Sequence, residues 1–170
     1  VPRSLVVVWA RRHLGVVVAV TVAVAAIDQL VKQLMLNWLE PGVAHPVIGD
    51  WFRFYLLFNS GAAFSMGEDF TWVFTAIMAI VSVGILVYLP RVRSLAWALS
   101  LGLVLGGATG NLTDRLLRWP GFPNGHVVDF IHVQGFAVFN VADSGVVVIG
   151  GRDMTGVPAH QRPVGLAGAR

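Results

Sequence analysis

Residues 70–89 read FTWVFTAIMAIVSVGILVYL, and Pro90 closes the run. These 20 residues carry no charge. An α-helix of about 20 residues rises about 30 Å, the thickness of a bilayer's hydrocarbon core. The stretch is therefore expected to cross a membrane, and its neighbours point the same way. Residues 94–113 form a second uncharged run of 20, closed by Asp114-Arg115. Residues 14–27 hold only Thr21 and Gly15 against a Val/Ala/Leu background, and the run continues through Asp28-Gln29-Leu30-Val31-Lys32 to Trp38. A weaker fourth run, 133–151, contains Asp143.

Composition agrees. The chain has 170 residues, 56% hydrophobic and 12% charged, with a mean hydropathy of +0.72. A soluble domain carries about 25% charged residues, so a water-facing surface cannot be built from this chain. Disorder, coiled coil and fibrous classes are excluded by the same numbers. The absence of cysteine removes thiol chemistry, disulfides and Cys-based zinc sites. The net charge is +3, with arginines gathered at a few points, which reports topology rather than nucleic-acid binding.

Arg3, Arg11 and Arg12 precede the first run, Arg91 and Arg93 separate the second from the third, and Arg152 and Arg162 follow the fourth. Residues 37–69 hold one Arg against four acids. The positive-inside rule then places both termini and the Arg91 loop in the cytoplasm. The expectation is four helices with two outer loops. Arg11-Arg12-His13 resembles a signal-peptide n-region. The following run is too long, carries Asp28 and Lys32, and lacks a small-residue cleavage site, so it reads as a retained helix. In the first outer loop, Pro41-Gly42 and Gly49-Asp50 are turn chemistry, and residues 51–58 are aromatic and strand-like, suited to the headgroup zone.

Ionisable groups inside membrane segments are costly, so each is a functional candidate. Asp28, Asn59, Asn111, Asp114, Arg115, Asp129, Asn140 and Asp143 all map to the outer side of this topology. Asn111, Asp114 and Arg115 are spaced i, i+3, i+4 and share a helix face; Asn140 and Asp143 share another. Gly106-Gly107 and Gly110 allow close helix approach beside them. Plainer readings exist: Asp28 and Lys32 as a local i, i+4 pair, Asp114-Arg115 as an interfacial helix end, and Asn59 as a turn residue. Asp143 has no basic residue within eight positions on either side, and Asp129 sits in Val127-Val128-Asp129-Phe130-Ile131. His126 and His132 bracket Asp129 without metal-ligand spacing, so no metal site is expected.

If Asp129 and Asp143 meet, they cannot both ionise comfortably and would share a proton. The ionised one can take a proton from water, while the protonated one polarises a carbonyl. That is the chemistry of an aspartic protease. No Cys and no G-x-S-x-G competes with it. The rival reading is a non-enzymatic membrane protein, a transporter or assembly factor with the acids as an ion relay. A relay needs polar residues at several depths, whereas here they pool at one face.

Five stretches resemble the lipoprotein signal peptidase (signal peptidase II) family of A8-like aspartic membrane peptidases. They are Asp28 to Lys32, Phe58-Asn59-Ser60-Gly61-Ala62-Ala63-Phe64, residues 107–115, Val128-Asp129-Phe130, and Phe139-Asn140-Val141-Ala142-Asp143-Ser144. They occur in the family's order over residues 14–148. The resemblance implies four transmembrane helices with a small extracytoplasmic sheet, in one polytopic peptidase domain over 1–151. It implies a multi-pass enzyme of the bacterial inner membrane, with its site at the outer face. That enzyme removes signal peptides from diacylglyceryl-prolipoproteins, cleaving before the lipidated Cys. Asp129 and Asp143 would be catalytic. Asn59, Asn111, Arg115 and Asn140 would bind substrate, with Asp28, Gly61 and Asp114 in support. The implied partners are prolipoproteins, membrane lipids and globomycin-type inhibitors, with no cofactor, metal or nucleic acid.

The chain departs from that pattern at its end. Residues 140–151 rise only about 18 Å before Arg152-Asp153, against a core of about 30 Å. A marginally inserted fourth helix and a disordered cytoplasmic tail over 152–170 are expected. Val1 in place of Met is expected of an alternative start codon or a trimmed N-terminus.

Overall fold

The computed structural model describes residues 3–61 and 70–144, with side chains from His13 onward. Helix α1 spans Arg3–Trp38, α2 spans Thr71–Tyr88, and α3 spans Leu95–Leu117. Strands β1 (Ala44–Ile48), β2 (Phe52–Asn59) and β3 (Val127–Val133) form one antiparallel sheet in the order β1-β2-β3. Among the described residues, three helices are long and apolar enough to cross a membrane: His13–Trp38 within α1, Thr71–Arg91 and Leu95–Leu117.

Each helix boundary has a local cause. Pro90 lacks an amide hydrogen and turns the end of α2 into a short 3-10 turn, Leu89–Arg91. Ser94 then caps α3, its Oγ accepting from the Trp97 N–H at 3.2 Å. A connection this short makes α2 and α3 antiparallel neighbours.

α1 packs on α3 along a stripe of small residues. A Cβ added at Gly102 would lie 2.8 Å from Val20, at Gly106 2.6 Å from Val24, and at Gly110 2.6 Å from the Asp28 carboxylate. With only hydrogen at those positions, the backbones approach closely, and dispersion rather than hydrophobic burial holds the helices together in lipid. The opposite face of α1, with Val18, Val22, Leu30 and Leu34, is exposed, as a lipid-facing surface should be.

The sheet rests on the end of α1. Leu56, Val128 and Phe130 are buried with Leu39, against Val31, Met35 and Leu36. Pro46 lies on the edge strand β1, where its missing N–H breaks no interior ladder. Strand β2 is the aromatic stretch that the sequence marked, and it starts and ends one residue later than expected.

The second outer loop and the fourth run differ from expectation. Asp129 lies on a strand, not in a loop, and pairs in register with Leu57. Four of the five residues 127–131 are β-branched or aromatic, which suits a ladder, but the stretch is too short to show a period. Residues 133–139 contain no helix; the chain turns at 134–135 and becomes helical only at Val141. Residues from 145 onward, which include the rest of the fourth run and the 152–170 tail, lie outside the described residues, as do Ala62, Ala63 and Phe64.

Candidate active site

Three side chains of α1 face α3 at one end of the helix pair. Asp28 and Lys32 are fully buried, and so is Asp114 opposite them. The Lys32 Nζ lies 2.7 Å from Asp28 Oδ2, 2.8 Å from Asp114 Oδ2 and 2.9 Å from Asn111 Oδ1. Burying an unpaired charge is costly, and here each charge is met. Gln29 Nε2 donates to Asp114 Oδ1 and to the Gly110 carbonyl, both at 3.0 Å. Arg118 Nε reaches Asp114 Oδ1 at 2.5 Å. The i, i+4 pair of Asp28 and Lys32 is thus real, but it is one edge of a network between two helices.

The second group forms where β3 and the fourth helical turn meet. Asn140 and Asp143 cap that turn reciprocally. Asn140 Oδ1 accepts from the Asp143 N–H at 3.1 Å, and Asp143 Oδ2 accepts from the Asn140 N–H at 3.2 Å. This is a capping box, which satisfies two amides left free by any helix start. Asp28 Oδ1 accepts a third, from the Ala142 N–H at 3.0 Å. A sequence separation of 114 residues is thereby closed by one carboxylate.

The two groups join through amide side chains. Asn140 Nδ2 donates to Asp129 Oδ1 at 2.6 Å and to Asn111 Oδ1 at 3.1 Å. Asn111 Nδ2 donates to Asp143 Oδ1 at 2.9 Å. Asn59, at the end of β2, donates to Asp129 Oδ2 at 2.8 Å, while its Oδ1 accepts from the Gly61 N–H at 2.7 Å. Asn59 is therefore a turn residue and a carboxylate ligand at once. Asp129 is 1% exposed, and its carboxyl is pushed up to about 6. Burial is the main cause; the Asp143 charge adds to it, and the Asn59 and Asn140 donors oppose it.

Arg115 is buried but bonds neither Asn111 nor Asp114. Its guanidinium lies over the Phe74 ring at 5.8 Å, a cation–π contact, and Nη1 donates to the Gly125 carbonyl at 3.2 Å. Nε has no acceptor among the described residues. Gly61 adopts φ +93, and a Cβ there would fall 2.5 Å from the Phe74 ring. An L side chain is thus disfavoured at Gly61 both by conformation and by space.

All nine residues singled out from the sequence fall in or beside this cluster. Asp28, Asn59, Asn111, Asp114, Asp129, Asn140 and Asp143 are linked by hydrogen bonds or through Lys32. Gly61 and Arg115 flank it through Phe74. Sequence reasoning undervalued Lys32 and did not find Gln29, Arg118 or Phe74. A lysine four residues from a buried aspartate, inside an apolar run, was the signal for the first. No group of three or more His, Asp or Glu side chains suited to a metal occurs among the described residues.

Residues 20–151 match the family described as signal peptidase (SPase) II. The chain is similar to the lipoprotein signal peptidase of Streptomyces coelicolor, at 48% identity over 137 residues, covering 81% of this chain and 67% of the relative. The lipoprotein signal peptidase of Mycobacterium avium is 48% identical over 136 residues, covering 80% and 75%. That of Mycolicibacterium smegmatis is 47% identical over 137 residues, covering 81% and 58%. Among solved structures, a bacterial membrane enzyme determined by the in meso method at 1.9 Å superposes with a TM-score of 0.67 at 26% identity, covering 79% of this chain and 86% of that one.

Proposed function

The chain belongs to the signal peptidase II family, and from that premise we propose that Asp129 and Asp143 are the carboxyls with which it cleaves. It is an aspartic endopeptidase of the signal peptidase II type, acting on prolipoproteins. The observation that carries the residue assignment is the Asn140 side chain, which touches Asp129 while its backbone N–H holds Asp143. Two carboxyls so linked can work on one water and one carbonyl.

Asp129, raised to about 6, carries the shared proton, and Asp143 is the base. Water attacks the scissile carbonyl carbon as Asp143 takes one of its protons. Asp129 gives its proton to the carbonyl oxygen, leaving a neutral tetrahedral diol. On collapse the C–N bond breaks. Asp143 returns its proton to the leaving nitrogen, and a diol hydroxyl returns one to Asp129. Atoms and charge balance, and both carboxyls are restored.

Asn59, Asn111 and Asn140 position the pair and line the substrate site. Arg115 Nε, buried and without an acceptor among the described residues, is the donor we assign to a substrate carbonyl. Asp28, Asp114 and Gly61 support that arrangement. The bond cut is the one before a diacylglyceryl-bearing Cys, and globomycin-type cyclic peptides inhibit. The protein is a bacterial membrane protein. Our fuller reading is the inner membrane, both termini cytoplasmic, the sheet and site at the outer face, and a fourth crossing that opens at Val141. The ion-relay reading is not favoured, because the named relatives are peptidases.

The test is cleavage of a diacylated prolipoprotein in detergent by wild type, Asp129→Asn and Asp143→Asn. Each variant should insert normally and lose about 10³-fold in turnover, within the range for a general acid or base. Near-normal turnover by either verified variant would refute the pair.

A further inference from the structure

We propose that Lys32 is a positioning residue for this peptidase, holding the Asn111 amide in the one orientation that points Nδ2 at Asp143. The proposal rests on the reading of Asp129 and Asp143 as the working carboxyls.

An ammonium has three N–H donors and no acceptor. Lys32 finds three acceptors, two carboxylate oxygens and Asn111 Oδ1, at 2.7, 2.8 and 2.9 Å. Its donors are therefore all committed, one of them to an amide rather than an acid. Asn111 Oδ1 receives a second donor, Asn140 Nδ2, at 3.1 Å. With Oδ1 so fixed, Nδ2 lies 2.9 Å from Asp143 Oδ1 and donates to it. Rotating the amide by half a turn would set an NH₂ against the ammonium and against Asn140, and an oxygen against the Asp143 carboxylate. Three attractions would become three repulsions. Asn140 feels the same constraint, since one of its two N–H groups goes to Asn111 and the other to Asp129 Oδ1 at 2.6 Å. One donor on each carboxyl, Asn111 on Asp143 and Asn140 on Asp129, thus follows from where one buried cation sits.

The competing view is that Lys32 only neutralises Asp28 and Asp114. The two views separate because Asp114 has another cation, Arg118. Lys32→Met alone leaves Asp114 with its arginine and buries Asp28 without its cation. Combining Asp28→Asn with Lys32→Met leaves a balanced Asp114–Arg118 pair, and the asparagine side chain keeps an oxygen for the Ala142 N–H. The second variant serves where the first is not recovered folded.

The experiment is a double-mutant cycle with Asn111→Ala, reading kcat and KM on a diacylated prolipoprotein and Tm by thermal melting. Removing Lys32 should lower kcat by about 10- to 100-fold, the scale of a misplaced catalytic group. KM should stay within about threefold, since uniform binding is untouched. In the Asn111→Ala background the same removal should cost no further kcat, because the residue it acts through is gone. Additive losses, a loss confined to KM, or no loss each overturn the proposal. Failure of both Lys32 variants to fold while Asn111→Ala folds also overturns it, making Lys32 structural. Cleavage by the wild type is read separately and tests the activity itself.

Discussion

Asp129 carries two amide donors, Asn59 on Oδ2 and Asn140 on Oδ1, yet its carboxyl still holds a proton up to about 6. Desolvation outweighs the donors. If Asp129 works in its protonated form, that form is complete well below pH 6 and falls tenfold per pH unit above it. We therefore expect kcat/KM for prolipoprotein cleavage to decline along a basic limb centred at about 6, since that ratio reports the free enzyme. Asn59→Ala removes a donor that favours the ionised form, so the carboxyl should hold its proton more tightly. The limb should then move to higher pH, and a pH–rate profile of the two proteins checks the sign. A limb that moved down, or stayed put, would reverse the assignment of Asp129 as the proton carrier.

At the scale of elements, the glycine stripe of α3 decides how near α1 can bring its charges. Gly110→Ala would set a methyl 2.6 Å from Asp28 Oδ2, a carboxylate held by Lys32 and by the Ala142 N–H. The carboxylate cannot turn away without losing a partner, so α1 and α3 must part. Overpacking of this kind costs about 1–3 kcal/mol, and Tm and cleavage should both fall. Gly84 on α2 is the control. A Cβ there meets nothing within 4 Å, and Gly84→Ala should leave Tm unchanged or raise it, as helix propensity alone would. Equal melting temperatures for the two variants would mean that the stripe is not under contact.

At the scale of the molecule, three helices among the described residues are long and apolar enough to cross a bilayer, and the orientation we propose for them rests on the arginine distribution. Reporter fusions after residues 40 and 122 should read as outside, and one after Arg93 as inside. The opposite pattern would put Asp129 and Asp143 on the cytoplasmic side and contradict the proposed site of cleavage. Trp38 at the end of α1, Trp51 in the β1–β2 turn, and Trp119 and Phe122 just beyond α3 are exposed, and aromatic side chains of this kind favour a membrane interface.

The sequence alone determined what depends on near neighbours. Apolar runs of spanning length, the Pro90 break, the shared faces of Asn111-Asp114-Arg115 and Asn140-Asp143, and the aromatic strand are all short-range patterns of composition and period. The pooling of acids and amides at one end followed from that topology. The motif order along the chain pointed to the family without any tertiary contact. Only the tertiary structure decided the contacts between residues far apart. Lys32 looked like half of a local ion pair because its bond to Asn111 spans 79 positions. The strand at Val127–Val133 was hidden because its partners lie on β2 and a short apolar stretch interrupted by Asp129 has no telling period. How far burial raises the Asp129 carboxyl depends on desolvation, and desolvation is set by everything packed around Asp129 rather than by the residues beside it in the chain.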